Sequence, residues 1–377
     1  MKRHRVQHTS SPSLGRKPRT ESHPGHHQQS LAAAWGTPAV APPVVRLERA
    51  SRPTSSSSTT ATAEDALYAV DLFCGMGGWS CGAKQSGYAI ALAIDSWDEA
   101  LRIHQANHPS AAHYRMELGP TMEKALERLV ARHVPAGARW HLHMSPPCTT
   151  LSPMHAVKCG ENGFQKGMDT VMWSLRMVFK LKPTTWSFEQ APEREIMGML
   201  RWLRHTNPGT TQFARVHFDK YGLPQTRIRM LAGSPCLMDP FLSDPSMRAE
   251  APVVSAVLAP PASAVWLKDS VENIPKACQT VAHADGTFTN SGLRRKLRTV
   301  NEVAWTCVAC HPHAYLAADF TQIRQHTPRE SATLQSLPED YILRPHGVAA
   351  TTAQRAVGNC FPPLIARLLM GGGRYCC

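Results

Sequence analysis

The residue with the most chemical reach in this chain is a cysteine held by prolines, in Ser145-Pro146-Pro147-Cys148-Thr149-Thr150-Leu151-Ser152. The preceding Trp140-His141-Leu142-His143-Met144 predicts a short strand, and the prolines stop its ladder because neither has a backbone N–H to donate. A thiol is left on stiff, extended chain just past a strand end, which is where open α/β sheets bind ligands. Alone, such a thiol would serve as a protease nucleophile, a metal ligand or an inert buried cysteine. A second reactive side chain obeys the same rule. Thr184-Thr185-Trp186-Ser187-Phe188 predicts a strand that delivers Glu189, followed by Gln190-Ala191-Pro192. Two strand ends carrying a thiol and a carboxyl group can converge on one cleft. Downstream, the stretch from Tyr221 to Leu231 begins in a turn and enters a strand, on which a period of two puts Arg227 and Arg229 on one face. Burying both requires something anionic or carbonyl-rich; a solvated surface pair is the plainer alternative.

These groups need elements to position them. Leu67 to Phe73 is β-favouring and apolar, and Cys74-Gly75-Met76-Gly77-Gly78 follows it. The glycines permit a tight turn and close backbone approach to a ligand. A helix from Trp79 to Gln85, a strand over Ala89–Ile94 ending at Asp95, and a helix from Glu99 to Gln105 come next. Strand, glycine turn, helix and a second strand ending in a carboxylate form the nucleotide-binding half of a doubly wound sheet, with Asp95 placed to accept from ribose hydroxyls. The arrangement is GxGG rather than GxGxxG, which disfavours dinucleotides. Apolar spacing predicts further helices over Thr121–His133 and Met168–Phe179, the latter stopped by Pro183. From about 236 prolines become frequent and elements short. This stretch, to about 326, reads as a smaller loop-rich domain carrying the basic cluster Arg294-Arg295-Lys296-Leu297-Arg298. A helix from Arg329 to Gln335, the segment Val357-Gly358-Asn359-Cys360-Phe361-Pro362-Pro363 and a helix over Leu364–Met370 close the chain. The organisation expected is a tail over 1–64, a catalytic domain over 65–235, the small domain over 236–326, and a C-terminal segment, 327–377, returning to the large domain.

The formal net charge of +13 on 377 residues favours a polyanionic partner, nucleic acid being the common one. Much of the tail is Ser, Thr, Pro, His and Arg, too poor in apolar residues to order itself. It reads equally as a phosphate-contacting arm, a targeting segment or a spacer. No stretch spans a bilayer and no secretory signal is visible. The eleven cysteines are odd in number and scattered, which fits a reduced, intracellular setting. Cys307-Val308-Ala309-Cys310-His311 formally matches a haem attachment or half a zinc site, but buried cysteines are the simpler reading, and no metal is expected.

A thiolate is a strong nucleophile that can add to an electron-poor ring carbon. A protonated Glu189 would hydrogen-bond a ring nitrogen, and an arginine would hold a ring carbonyl oxygen; a pyrimidine meets all three demands. At this point the chain resembles the cytosine-C5 DNA methyltransferases. The matching stretches fall in family order: DLFCGMGGWS at Asp71, SPPCTTLS at Ser145, FEQAP at Phe188, QTRIRM at Gln225, RESATLQSLP at Arg329 and VGNCFPP at Val357. The resemblance implies a Rossmann-like methyltransferase fold: a mixed, mostly parallel α/β sheet with helices on both faces, a small target-recognition domain and a returning C-terminal helix. It implies S-adenosyl-L-methionine as cofactor, cradled by Asp71, Phe73, Gly75, Gly77 and Gly78, with Asp95 on its ribose and Asn359 reaching its methionine part. It implies attack of Cys148 on C6 of a flipped cytosine, Glu189 on N3 and the exocyclic amine, Arg229 at O2 and Arg227 supporting the same site. Pro146, Pro147, Ser152 and Gln225 would shape the substrate loop. Double-stranded DNA is the implied partner, for a monomer working inside the cell, with a restriction endonuclease as a further partner of such enzymes. Two places depart from the family pattern: Thr149 stands where Gln follows the catalytic cysteine, and Gln190-Ala191 where Asn-Val follows the glutamate. They bear on rate and loop geometry. The alternatives are a catalytically weak DNA-binding relative and an RNA cytosine-C5 methyltransferase of the same fold. Amino-group methyltransferases carry an aromatic residue at the position of Cys148.

Overall fold

The central strands are apolar on both faces, which suits a sheet covered by helices on both sides. Ala69, Val70, Leu72, Leu92, Ala93, Ile94, Leu142 and Met144 have no solvent exposure. The structure, a computed structural model, describes residues 45–46, 66–147, 153–268, 297–309, 312–317 and 323–371. Its main sheet comprises β1 (Val45–Arg46), β2 (Leu67–Leu72), β3 (Tyr88–Asp95), β4 (Ala112–Arg115), β5 (Trp140–Met144), β6 (Thr185–Gln190), β7 (Gln212–His217) and β8 (Ile228–Gly233). Their order is β1-β4-β3-β2-β5-β6-β8-β7. The five strands from β4 to β6 are parallel; β8, β7 and the short β1 are antiparallel to their neighbours. The mixed, mostly parallel doubly wound sheet expected from the sequence is therefore present.

The helices are α1 (Gly78–Gln85), α2 (Asp98–Asn107), α3 (Glu123–His133), α4 (Pro153–Leu181), α5 (Arg194–Thr206), α6 (Pro235–Ser243), α7 (Val254–Val257), α8 (Pro328–Leu334), α9 (Ala350–Asn359) and α10 (Pro363–Gly371). On one face α3, α4 and α5 bury Leu126, Val171, Met177, Ile196 and Leu200. On the other, α1, α6 and α10 bury Trp79, Leu237, Phe241, Ile365 and Leu369. The α6 helix thus packs on the main sheet, and the first strand of a second sheet begins further on. That sheet comprises β9 (Ala264–Lys268), β10 (Leu297–Thr299), β11 (Ala314–Ala317) and β12 (Ile323–Gln325). It is wholly antiparallel, in the order β10-β9-β11-β12. The α8 helix starts in a capping box, with the Thr327 side chain accepting from the Glu330 N–H and Glu330 accepting from that of Thr327.

Two local expectations need correction. The fourth helix begins at Pro153, well before Met168, because its first turns lack the apolar periodicity on which a sequence reading depends. Strand β8 begins at Ile228, so Arg227 precedes it and does not share a face with Arg229. No helix among the described residues is long and apolar enough to cross a membrane.

Candidate active site

From β2 the chain winds outward through β3 and β4; from β5 it winds the other way through β6. The reversal lies between β2 and β5, the crevice where doubly wound sheets bind ligands. The glycine turn leaves β2 and the proline loop leaves β5, side by side in register, Leu72 opposite Met144. Ser145 fastens one exit to the other: its N–H donates to the Leu72 carbonyl at 3.3 Å and its Oγ to the Phe73 carbonyl at 3.2 Å.

The turn is wound through left-handed backbone at Phe73 (φ 58°), Gly75 (φ 51°) and Gly77 (φ 95°). Phe73 is unusual there, since a side chain disfavours that region; its ring meets Trp173 edge-on at 6.3 Å. The Gly75 N–H donates to Asp95 Oδ2 at 2.8 Å and the Trp97 N–H to Asp95 Oδ1 at 2.8 Å, so the carboxylate ending β3 holds the turn open. Each Asp95 oxygen keeps a further lone pair.

The turn rests on a buried polar floor. Ser80 Oγ donates to Asp71 Oδ2 at 2.7 Å. His104 Nε2 lies 3.1 Å from Ser80 Oγ, and its Nδ1 lies 2.8 Å from His113 Nε2. Tyr341, arriving from the C-terminal segment, donates to the Met76 carbonyl at 2.6 Å. Burial pushes the Asp71 carboxyl up to about 8 against the opposing Ser80 hydrogen bond. It pushes His108 and His113 down to about 4 and His104 well below the usual imidazole range. Asp71 was expected to touch a cofactor; it lies wholly buried beneath the turn and supports it instead.

Cys148 and Ser152 lie outside the described residues. The loop that leads to them is fixed as far as Pro147. Pro146 is buried, Pro147 exposed, and Gln190 Nε2 donates to the Pro146 carbonyl at 2.8 Å. The Gln190 Oε1 accepts from the Ala191 N–H at 2.8 Å. The glutamine that departs from the family's asparagine therefore ties the end of β6 to the proline loop. One residue earlier, Glu189 Oε1 receives Arg229 Nε at 2.8 Å, both side chains partly exposed at 13% and 18%. The sheet aligns them: Glu189 pairs with Leu231, two residues along β8 from Arg229, so both project on one face.

Arg227 and Gln225 go elsewhere. Arg227 is 2% exposed and its guanidinium donates to the carbonyls of Cys307, Gly358 and Cys360. Gln225 is wholly buried, donating to the Leu334 carbonyl and accepting from the Cys307 N–H. The expectation that Arg227 supports the base site and Gln225 shapes the substrate loop is corrected by that placement: both side chains are spent on buried backbone and on Gln335. Burial pushes the Arg227 guanidinium down to about 10, with Arg229 adding to the shift. Asn359, ending α9, is exposed beside the segment in which Cys360 Sγ and the Phe361 carbonyl fill the space above Gly78.

The residues present fit S-adenosylmethionine. A Cβ at Gly75 would meet nothing within 4 Å, so the turn presents bare backbone to open space, with the partly exposed Phe73 ring and Asp95 beside it. Sequence reasoning missed three residues of this arrangement, Ser145, Tyr341 and the floor residue His104. Ser145 adjoined a recognised motif; nothing local marked Tyr341, whose role comes from a contact spanning most of the chain.

The family profile described as C-5 cytosine-specific DNA methylase matches residues 67–193, from β2 to just past β6. The Type II methyltransferase M.HgiDI of Herpetosiphon aurantiacus is 34% identical over 83 residues, 22% of this chain and 25% of that protein. The matched stretch thus spans a quarter of that relative's length. Among solved structures, one described as a DNA modification methyltransferase encoded within an E. coli prophage superposes with a TM-score of 0.53 at 18% identity, covering 82% of this chain and 99% of that one. The S. pombe Dnmt2 methyltransferase superposes at 0.52 with 15% identity, covering 80% and 96%. At such identities these two likenesses establish the shared fold.

Proposed function

We propose, from the match of residues 67–193 to the C-5 cytosine-specific DNA methylase family, that the whole chain is an S-adenosylmethionine-dependent DNA (cytosine-5-)-methyltransferase. The observation that carries this reading is the Glu189–Arg229 pair, aligned by β6 and β8 at the same end of the sheet as the Pro146-Pro147 exit. In this reading the target cytosine leaves the duplex at a cost of a few kcal/mol. The Cys148 thiolate adds to C6, and electron density moves onto C5. Glu189 holds N3 and the exocyclic amine, Arg229 holds O2, and together they stabilise the charge that develops on the ring. When bound, S-adenosylmethionine supplies an electrophilic methyl group for C5. Loss of the C5 proton then expels Cys148 and restores the ring.

Phe73, Gly75, Gly77, Gly78 and Asp95 would hold the cofactor, with Asn359 reaching it from the C-terminal side and Asp71 acting from below. Residues 65–235 and 327–377, together with α6 on the main sheet, form the catalytic part, and the stretch from there to 326, bearing the small sheet, selects the sequence. The partner is double-stranded DNA inside the cell, and the protein acts as a monomer. The net charge of +13 supports a polyanionic substrate.

The test is incubation with labelled S-adenosylmethionine and duplex DNA, with RNA in a parallel arm, and identification of the modified base by mass spectrometry. The expected product is 5-methylcytosine in DNA, absent with Cys148→Ala, together with Cys148-dependent covalent trapping on 5-fluorocytosine DNA. N6-methyladenine, N4-methylcytosine, modification of RNA alone, or a Cys148→Ala protein that still methylates C5 would overturn the reading.

A further inference from the structure

Three chain segments far apart in sequence meet around one buried cation. The first is Pro224–Arg227, entering β8. The second is 304–309, which joins β10 to β11 of the small sheet. The third is 357–361, joining α9 to α10. The first two run alongside each other: the Thr226 N–H donates to the Ala304 carbonyl at 2.9 Å, the Ala304 N–H to the Pro224 carbonyl at 3.2 Å, and the Cys307 N–H to Gln225 Oε1 at 2.8 Å. The second and third are in direct contact, because a Cβ at Gly358 would collide with the backbone of Val308 and Ala309. The third reaches the glycine turn, where Cys360 Sγ and the Phe361 carbonyl occupy the space a side chain at Gly78 would need.

Arg227 spans all three. Its Nη1 donates to the Cys307 carbonyl at 3.0 Å and to the Gly358 carbonyl at 3.3 Å, and its Nη2 to the Cys360 carbonyl at 3.2 Å. Every acceptor is a backbone carbonyl, so the guanidinium fixes main-chain positions rather than a side chain. A planar fork can address several carbonyls at once, which the single ammonium of lysine cannot do in the same geometry. Two residues further on, within β8, Arg229 holds Glu189.

We propose that Arg227 is a positioning residue that couples occupancy of the cofactor turn to the placement of the segment entering the small sheet, and so to nucleic-acid binding. This rests on the reading of the turn and the small sheet given under Proposed function. A ligand settling on the turn presses on Gly78 and the Cys360–Phe361 backbone; Arg227 passes that constraint to Cys307 and on to β11. By reciprocity, nucleic acid engaging the small sheet tightens the turn.

The experiment measures binding alone. The dissociation constant of S-adenosylhomocysteine is determined with and without a cytosine-containing duplex, and that of the duplex with and without S-adenosylhomocysteine. Wild-type protein should show the same factor in both directions, about 5- to 150-fold. Arg227→Lys should bring it to within twofold of unity while leaving each ligand's separate affinity within about threefold. Hydrogen exchange adds a second reading: S-adenosylhomocysteine alone should protect amides of 304–309 in wild type and not in the variant. Should Arg227→Lys fail to fold, Gln225→Met, which releases the Cys307 N–H along with the Leu334 carbonyl and Gln335 but leaves the Arg227 bonds in place, should give an intermediate factor and weaker protection of 304–309. A wild-type factor of unity, or undiminished coupling in the variants, would overturn the proposal. Because methylation is not the readout, a wild-type protein that binds both ligands with coupling but makes no 5-methylcytosine would count against the functional reading alone.

Discussion

Gln190 Nε2 and the Pro146 carbonyl, 2.8 Å apart, join the end of β6 to the loop that leads to Cys148. The bond is buried, and the Gln190 Oε1 is itself engaged by the Ala191 N–H, so the amide cannot rotate without losing both. Gln190→Leu would leave the Pro146 carbonyl without its donor, at about 1–3 kcal/mol. The expected outcome is a kcat lowered by about 5- to 160-fold, on the same estimate converted to rate, with S-adenosylhomocysteine affinity unchanged. Gln190→Asn, one methylene shorter, should recover part of the loss if the loop can close the gap. A Gln190→Leu enzyme with wild-type kcat would show that the loop is held by other means.

The Glu189–Arg229 pair predicts a different pattern. Glu189→Gln keeps the shape but removes the carboxyl group's ability to exchange a proton with the base, and should lower kcat by about 10²- to 10⁴-fold, the range for a positioned acid–base group. Duplex affinity should change far less, since phosphate contacts dominate it. Steady-state kinetics beside equilibrium binding separates the two, and equal losses in both would contradict the assignment.

The glycines of the turn should respond differently to one added methyl group. At Gly75 a Cβ projects into open space, and the positive φ costs about 1–2 kcal/mol. Gly75→Ala should therefore fold with a modestly lower Tm and lose cofactor affinity. At Gly77 the Cβ would lie 2.8 Å from the Tyr341 hydroxyl and 2.9 Å from both His104 and His108. Gly77→Ala should lower Tm much more. Thermal melts with and without S-adenosylhomocysteine test both; the reverse order of Tm losses would refute the packing argument.

Stability should fall on mild acidification. His104, His108, His113, His141 and His143 are held neutral by burial, with values of about 4 at His108 and His113 and about 3 at His141, against an ordinary 6.5. Below 6.5 the unfolded chain binds protons that the folded one refuses. The stability is full above 6.5 and is lost as pH falls toward the folded values. Asp71 acts oppositely: at about 8 when folded against 3.8 ordinarily, it contributes fully below 3.8 and less as pH rises. At pH 5 each imidazole has given up on the order of 2 kcal/mol, so five of them outweigh one carboxyl group. The urea midpoint should be lower at pH 5 than at pH 7, and an equal or higher midpoint at pH 5 would disprove this.

Much of the site was legible in the sequence, for a local reason. Motifs at strand ends carry their own punctuation: the prolines after Met144, the glycines after Phe73 and the carboxylate after Ile94 each mark where a strand stops and chemistry begins. Periodicity also placed β2, β3, β5 and the first three helices, but only the second half of α4. It misled where a residue's partners are distant. Arg227 and Arg229 have identical spacing to any exposed strand pair, yet one is sealed among carbonyls supplied by Cys307, Gly358 and Cys360. Asp71 reads like a ligand-facing acid beside the glycines, and only the contacts of Ser80 and His104 reveal it as floor. Gln190 looked like a defect in a motif, and its reach across to Pro146 makes it a tie.

Helix α10 lies against α1, with the Pro363 carbonyl and the Ala366 side chain filling the space beside Gly82. Tyr341 and Phe361 complete the same surface. On the ribosome, the turn and α1 emerge early, with Asp95 and His104 soon after them, whereas Tyr341, Phe361 and α10 follow only long afterwards. Until α10 is made, Trp79 can stack on His143 of β5, but the side of α1 at Gly82 has no helix to lie on it. A stalled or prematurely terminated product would carry all the early motifs and still have no finished turn to receive the cofactor.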